Sequence, residues 1–140
     1  MKKILLFILP ALVLSACDKT YTVGKDVTCS GLEDSSEEVV FCKDKHDKPV
    51  NGTVIQYYEN GKKQREMQLK GGYENGLEKE YYENGNLKVE ANIENSNPVG
   101  ISKLYYENGQ LQMVLNFVSD KDMQIVEFYD ENGTLIPLEK

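Results

Sequence analysis

The sequence predicts an all-β protein, an elongated antiparallel meander of stacked β-hairpins, and two observations support this fold class. The first is a repeat with a period of 24 residues, in which the segment Tyr-Tyr-Glu-Asn-Gly begins at Tyr57, Tyr81 and Tyr105, with an altered copy at Tyr129. The second is the Asn-Gly pair between alternating apolar and polar residues, a strong signal for a β-hairpin. We therefore expect about four hairpin units over residues 51–138.

Each Asn-Gly pair is expected to form a two-residue type I′ turn, because both central residues of that turn need a positive φ. Asparagine tolerates this conformation and glycine adopts it freely. A second turn signal in each unit lies around Gly71-Gly72 and again around residues 95–98. We predict a looser turn there, which leads the chain into the next unit.

The expected pairing around Asn84-Gly85 opposes residues whose numbers sum to 169, and it separates two faces of the sheet. The second tyrosine of each pair (Tyr58, Tyr82, Tyr106) then falls on the buried face, and we assign that column to the core. The first tyrosine of each pair falls on the more polar face. A shift of one residue would exchange the faces, so the turns also set the register. In the second unit the predicted buried face consists of Tyr82, Leu87, Val89, Ala91 and Ile93.

The N-terminus has the pattern of a signal peptide over residues 1–16. Two lysines precede an apolar run from Ile4 to Leu14, which is too short to span a membrane. The segment ending in Cys17 (Leu-Ser-Ala-Cys) resembles the bacterial lipobox. This resemblance implies that Cys17 receives a diacylglycerol and becomes the new N-terminus of a lipoprotein in the cell envelope. The alternative is an ordinary cleavage site followed by an unrelated cysteine. We expect residues 17–27 to be a polar tether.

Cys29 and Cys42 are predicted to form a disulfide, because export places them in an oxidising compartment. If Ser35-Ser36 is a two-residue turn, opposed residues sum to 71, and the two cysteines face each other. A metal site or a redox pair is the alternative, but the sequence has a single histidine, His46, and no Cys-x-x-Cys. We expect residues 28–50 to form a stapled hairpin that caps the open edge of the repeat sheet.

Charge and composition exclude several functions. Without the leader, 14 basic and 23 acidic residues give a formal charge of −9, which repels nucleic acid. The glutamates before the turns lie two strand spacings apart, so we expect solvated side chains rather than a catalytic pair. No cofactor, metal ion or enzymatic activity is predicted, and an envelope enzyme is the last of the alternatives.

The candidate binding residues are Tyr57, Tyr81 and Tyr105, the tyrosine column. They recur every second strand, and hence about 10 Å apart. Tyrosines at this spacing offer rigid contact area to a protein partner or, as a second choice, stack on the sugars of a glycan. The alternative is that they only stabilise cross-strand pairs.

The segments from Gly76 to Leu87 and from Gly100 to Leu111 share the pattern Gly-x-x-x-x-Tyr-Tyr-Glu-Asn-Gly-x-Leu. This pattern resembles the bacterial variant of the MORN repeat, which includes the YwqK-family antitoxins. The outer units depart from it at Lys63, Gln124 and Asp130. The resemblance covers residues 51–135 and implies a curved sheet of stacked hairpins with a binding role. It also implies the alternative that this is an immunity protein that neutralises a toxin.

Overall fold

The structure, a computed structural model, describes residues 19–32, 39–119 and 122–138. The predicted leader, the lipidation site Cys17 and the turn at Ser35-Ser36 lie outside these residues. Helices are absent from the described part of the chain, so none of it forms a helix that could cross a membrane.

The protein is all-β, as the sequence predicts. Eight strands follow one another in the sheet in the order β1-β4-β5-β6-β7-β8-β9-β10, and the hairpin β2-β3 branches from it through one contact of β3 with β6. From β4 onward all neighbours are antiparallel. The strands are β1 (Thr20–Thr22), β2 (Val27–Ser30), β3 (Phe41–Asp44), β4 (Gly52–Tyr57), β5 (Lys63–Lys70), β6 (Tyr73–Tyr81), β7 (Leu87–Glu94), β8 (Asn97–Tyr105), β9 (Leu111–Ser119) and β10 (Asp122–Phe128).

The predicted register holds through the body of each hairpin. Lys79 pairs with Glu90, and Glu78 pairs with Ala91, so opposed residues of β6 and β7 sum to 169. Next to the turn the register shifts by one residue, because Tyr81 pairs with Leu87 and the sum becomes 168. The same one-residue bulge occurs before the corresponding turns of β4-β5 and β8-β9. A bulge adds local twist, so its recurrence gives each repeat the same bend.

The Asn-Gly turns differ from the predicted type I′ geometry. Gly85 has a positive φ of 96°, but Asn84 does not. The Gly85 amide donates to the Tyr82 carbonyl, and the Tyr82 amide donates to the Asn86 carbonyl at 2.8 Å. This is a three-residue loop, Glu-Asn-Gly, with glycine in the left-handed region, the second common hairpin connection. Asn84 still stabilises this loop, because its side-chain Oδ1 accepts a hydrogen bond from the backbone amide of Asn86.

Two-residue turns with two positive φ angles occur at the other end of the units instead. Gly71 and Gly72 have φ angles of 62° and 88°, and Asn95 and Ser96 have 49° and 63°. Lys70 pairs directly with Tyr73 across the first of them. The turns that we expected to be loose are therefore the tight type I′ turns.

The N-terminal edge of the sheet is covered by β1 and not by the cysteine hairpin. Thr20–Thr22 pairs in parallel with β4, and the Thr53 amide donates to the Lys19 carbonyl at 2.9 Å. Gly52 permits this approach, since a Cβ there would lie 2.3 Å from that carbonyl oxygen. Val27 is buried. The predicted tether 17–27 is thus wrong from Thr20 onward, because backbone pairing of β1 places this segment in the folded domain.

The cysteine hairpin covers a face of the sheet rather than its edge. Cys29 opposes Cys42, as the predicted sum of 71 requires, and a disulfide joins them. The prediction that residues 28–50 cap the edge is wrong because β3 hydrogen-bonds at the β5-β6 turn, where the Cys42 amide donates to the Gly72 carbonyl. The hairpin lies over β4 and β5 and closes the main core, which consists of Val27, Val40, Cys42, Val50, Val54, Met67 and Leu69.

Candidate binding surface

The tyrosine column stands at the ends of alternate strands. Tyr57 ends β4, Tyr81 ends β6 and Tyr105 ends β8. Tyr57 is 43% exposed, while Tyr81 and Tyr105 are half-buried. The described structure therefore offers one broad tyrosine surface at Tyr57 and narrower ones at the next two positions.

The second tyrosine of each pair links neighbouring repeats rather than filling the core. These side chains are half-buried, which corrects the core assignment. Each hydroxyl donates to the backbone carbonyl of the first tyrosine in the next repeat. A buried carbonyl needs such a partner, so a hydroxyl at this position fixes the spacing between repeats. The three bonds are Tyr58 to Tyr81 at 2.6 Å, Tyr82 to Tyr105 at 2.7 Å and Tyr106 to Tyr129 at 2.8 Å.

The turn asparagines form a second series of links along the same edge. Each side-chain amide donates to a glutamate carbonyl of the following turn, and all of these glutamate side chains are exposed. Their carboxylates are thus free of the core and exposed to solvent. The bonds are Asn60 to Glu83 at 3.2 Å, Asn84 to Glu107 at 2.8 Å and Asn108 to Glu131 at 2.9 Å.

A charged cluster that the sequence analysis missed lies on the buried side of β5 and β6. Arg65 stands on β5 where later repeats have Val89 and Met113. Its guanidinium contacts Glu78, lies 3.0 Å from Glu74 Oε1 and lies 3.8 Å from Glu80 Oε1. Alternate glutamates on one strand, opposite an arginine in an apolar position, were the available signal. Arg65 therefore faces three carboxylates, and only Glu80 has a second cation nearby, Lys88 at 3.7 Å.

Glu74 is the most strongly perturbed group of this cluster. Its side chain is buried, and Oε1 lies in ion-pair contact with the Arg65 guanidinium but accepts no hydrogen bond. Burial raises the pKa of Glu74 to about 7, although Arg65 opposes this shift, and Glu78 and Glu80 add to it. A carboxyl that is desolvated beside like charges favours its neutral form. Glu74 therefore changes its charge near neutral pH.

We expect the free energy of unfolding to rise by about 2 kcal/mol between pH 8 and pH 5, because the folded state binds a proton on Glu74 more tightly. The folded pKa, about 7, lies above the ordinary value of 4.5. This contribution is fully present below the unfolded pKa and is lost as the pH rises through 7. Urea unfolding at both pH values measures it. Glu74→Gln should remove most of the difference, and exposed Glu94→Gln should preserve it; an unchanged pH dependence in Glu74→Gln would contradict the assignment.

Several apolar side chains in the C-terminal half of the described structure are exposed to solvent. Ala91, Ile93 and Leu115 are buried on the face that continues from the main core. The same face ends in exposed Met123 and Ile125, which pair with Phe117 and Leu115. Further exposed apolar residues in this half of the chain are Ile101, Val118, Val126, Leu135, Ile136 and Leu138.

Cavities in the described part of the protein are open and polar. One cavity has a volume of about 650 Å³ and lies between β1, β4 and the cysteine hairpin, with Lys19, Lys48 and Lys70 in its wall. His46 lies in an exposed turn, where its amide donates to Asp44. The residues described contain no group of three or more His, Cys, Asp or Glu that could hold a metal ion.

Comparison with known proteins identifies the repeats. The family model described as MORN repeat variant matches residues 50–70, 74–95 and 98–119, which are the hairpins β4-β5, β6-β7 and β8-β9. The chain has no significant match among curated proteins or among solved structures. The repeats recognised from sequence and the hairpins of the sheet coincide, and the chain thus carries three MORN repeats of the variant type within residues 50–119.

Proposed function

We propose that this protein is a lipid-anchored lipoprotein of the bacterial envelope, without catalytic activity, whose repeat sheet binds a protein partner. The observation that carries the proposal is the uncovered apolar surface on the C-terminal strands. Exposed apolar patches of this kind are typical of interaction sites. The MORN repeats support the same function, since such repeats often mediate binding.

The position of Cys17 supports an anchor at the N-terminal end of the sheet. Strand β1 begins at Thr20, three residues after the cysteine, so the bilayer would lie within about 10 Å of this edge. Strand β10 lies six strand spacings beyond β4, or roughly 30 Å along the sheet. The exposed apolar strands would therefore face away from the membrane, toward a partner.

The acidic charge of the C-terminal half favours a second candidate, an immunity protein that neutralises a toxin. Residues 71–140 contain 5 basic and 13 acidic residues, a formal charge of −8, whereas residues 17–70 contain 9 and 10 and carry −1. An acidic surface suits a basic toxin, because complementary charge accelerates encounter. A captured partner that kills cells only when this gene is deleted would support the immunity function.

The proposal is tested by cross-linking the tagged full-length protein in the cells that produce it. The wild type should be recovered with membranes, and Cys17→Ser should be soluble. Replacing Tyr57, Tyr81 and Tyr105 with serine should lower partner capture at least tenfold and preserve the fold, because only the carbonyls of Tyr81 and Tyr105 serve the repeat links. Thermal stability should fall in part, since the rings of Tyr81 and Tyr105 are half-buried.

The matched control replaces the second tyrosine of each pair with phenylalanine. This variant loses three hydroxyl hydrogen bonds, at about 1 kcal/mol each, but retains the tyrosine column. It should be less stable and still capture the partner. Equal capture by the wild type and the serine variant would exclude the column as the binding site, and a wild type that captures no protein would refute the proposed function.

A further inference from the structure

Strand β10 presents an open edge. Its inner side pairs with β9, but on its outer side the described residues provide only the pairing of Tyr129 with Leu135 and a 2.7 Å hydrogen bond from the Ile136 amide to the Phe128 carbonyl. On this outer side, no described strand pairs with the segment from Asp122 to Glu127. The other end of the sheet differs, because β1 covers β4 there.

The side chains of this edge are apolar and exposed. Met123 is 51% exposed, Ile125 44% and Val126 47%. Open edges in soluble proteins are usually protected by lysine, proline, a β-bulge or a covering loop. The pairing of β10 with β9 shifts register twice, between Asp122 and Met123 and between Ile125 and Glu127. Strand β10 has no lysine or proline, and its charged residues, Asp122 and Glu127, are both acidic. A strand added at this edge could therefore hydrogen-bond to free backbone groups of β10 and contact its exposed apolar side chains, Met123, Ile125 and Val126, which we call the apolar strip.

Charge favours a basic strand over a second copy of this chain. The sequence from residue 120 to residue 131 contains five acidic residues and one lysine. Backbone hydrogen bonds from Thr134 and Asn132 lower the pKa of Asp130, so this carboxylate stays charged. An antiparallel pair of two β10 strands that places Asp122 opposite Glu127 would set acid against acid, and like charges across a strand pair are destabilising.

We propose that the outer edge of β10 accepts an extended segment of the partner protein, with alternating apolar residues and lysine or arginine, as an additional strand of the sheet. Main-chain hydrogen bonds would supply affinity, and the apolar strip and the acidic residues would supply specificity. This inference rests on the proposed function, and it names the chemistry of the partner.

The test uses the purified full-length protein and a fluorescent eight-residue peptide of alternating lysine and valine, measured by anisotropy. The alternating peptide should bind at least tenfold more tightly than a block peptide, four lysines followed by four valines, of equal charge. Ile125→Lys should weaken binding at least tenfold. Val39→Lys is the matched control: Val39 is 53% exposed but precedes β3, outside the C-terminal strands, so this variant should bind the peptide within twofold of the wild type.

A second measurement, amide hydrogen exchange, uses only the wild type and therefore does not depend on whether a variant folds. The backbone amides of β10 should become protected from exchange when the alternating peptide is added, and not when the block peptide is added. Equal binding of both peptides, or an Ile125→Lys variant that binds like the wild type, would overturn the inference. So would a wild-type dimer that Ile125→Lys dissociates, because a second copy would then occupy the edge. Partner capture in cells that survives Ile125→Lys would refute the strand edge and leave the proposed function standing.

Discussion

Arg65→Met should lower the free energy of unfolding by about 3–5 kcal/mol at neutral pH, the largest effect that we expect from a single substitution. Methionine fits the position sterically, since Met113 occupies it two repeats later. The loss is electrostatic: Glu74 and Glu78 are buried beside the guanidinium, and Glu80 is partly buried. Removing the cation leaves these carboxylates desolvated and unpaired.

Urea unfolding at pH 7 and pH 5 measures this effect. Stability of the variant should recover in part at pH 5, because buried carboxyls without a counterion take up protons in the folded state before they do so in the unfolded chain. Lys88→Met is the control. Lys88 also approaches Glu80, at 3.7 Å, but it is half exposed, so its loss should cost well under 1 kcal/mol. A cost below 1 kcal/mol for Arg65→Met would show that the cluster contributes little.

Breaking the Cys29–Cys42 disulfide should destabilise the protein by about 3 kcal/mol, the second largest effect. The bond closes a loop with a sequence separation of 13 residues, and cross-linking restricts the unfolded chain by about this free energy. The hairpin also covers Val54 and Met67, which are fully buried. A loosened hairpin would expose them to water.

The measurement compares urea unfolding of Cys17→Ser with and without a reducing agent, because this variant contains only the two paired cysteines. The reduced protein should unfold at a lower urea concentration. The variant in which alanine also replaces Cys29 and Cys42 should unfold at the same urea concentration with and without the reducing agent. Thiol titration of denatured, unreduced Cys17→Ser should find no free thiol. Two reactive thiols in that sample would contradict the bond.

The candidate site could be predicted only in part. The 24-residue period and the alternation of apolar and polar residues place Tyr57, Tyr81 and Tyr105 in one column, because both patterns can be read directly from the sequence. Alternation does not reveal that Tyr57 is exposed while Tyr81 and Tyr105 are half-buried, because burial depends on the side chains that surround each tyrosine in the folded sheet. The edge at β10 likewise depends on where pairing of the last segment stops, at Ile136.

The repeat period and the turn residues by themselves determined the all-β meander, the pairing sums of its hairpins and the opposition of Cys29 and Cys42. These relations are local, because the pairing within a hairpin is set by residues close to its turn in the sequence. Only the tertiary structure decided which turns are type I′, that β1 adds in parallel at the edge, that the cysteine hairpin covers a face and that Arg65 meets three glutamates. Each of these depends on segments brought together in space, where backbone hydrogen bonding and desolvation choose among arrangements that the local sequence permits equally.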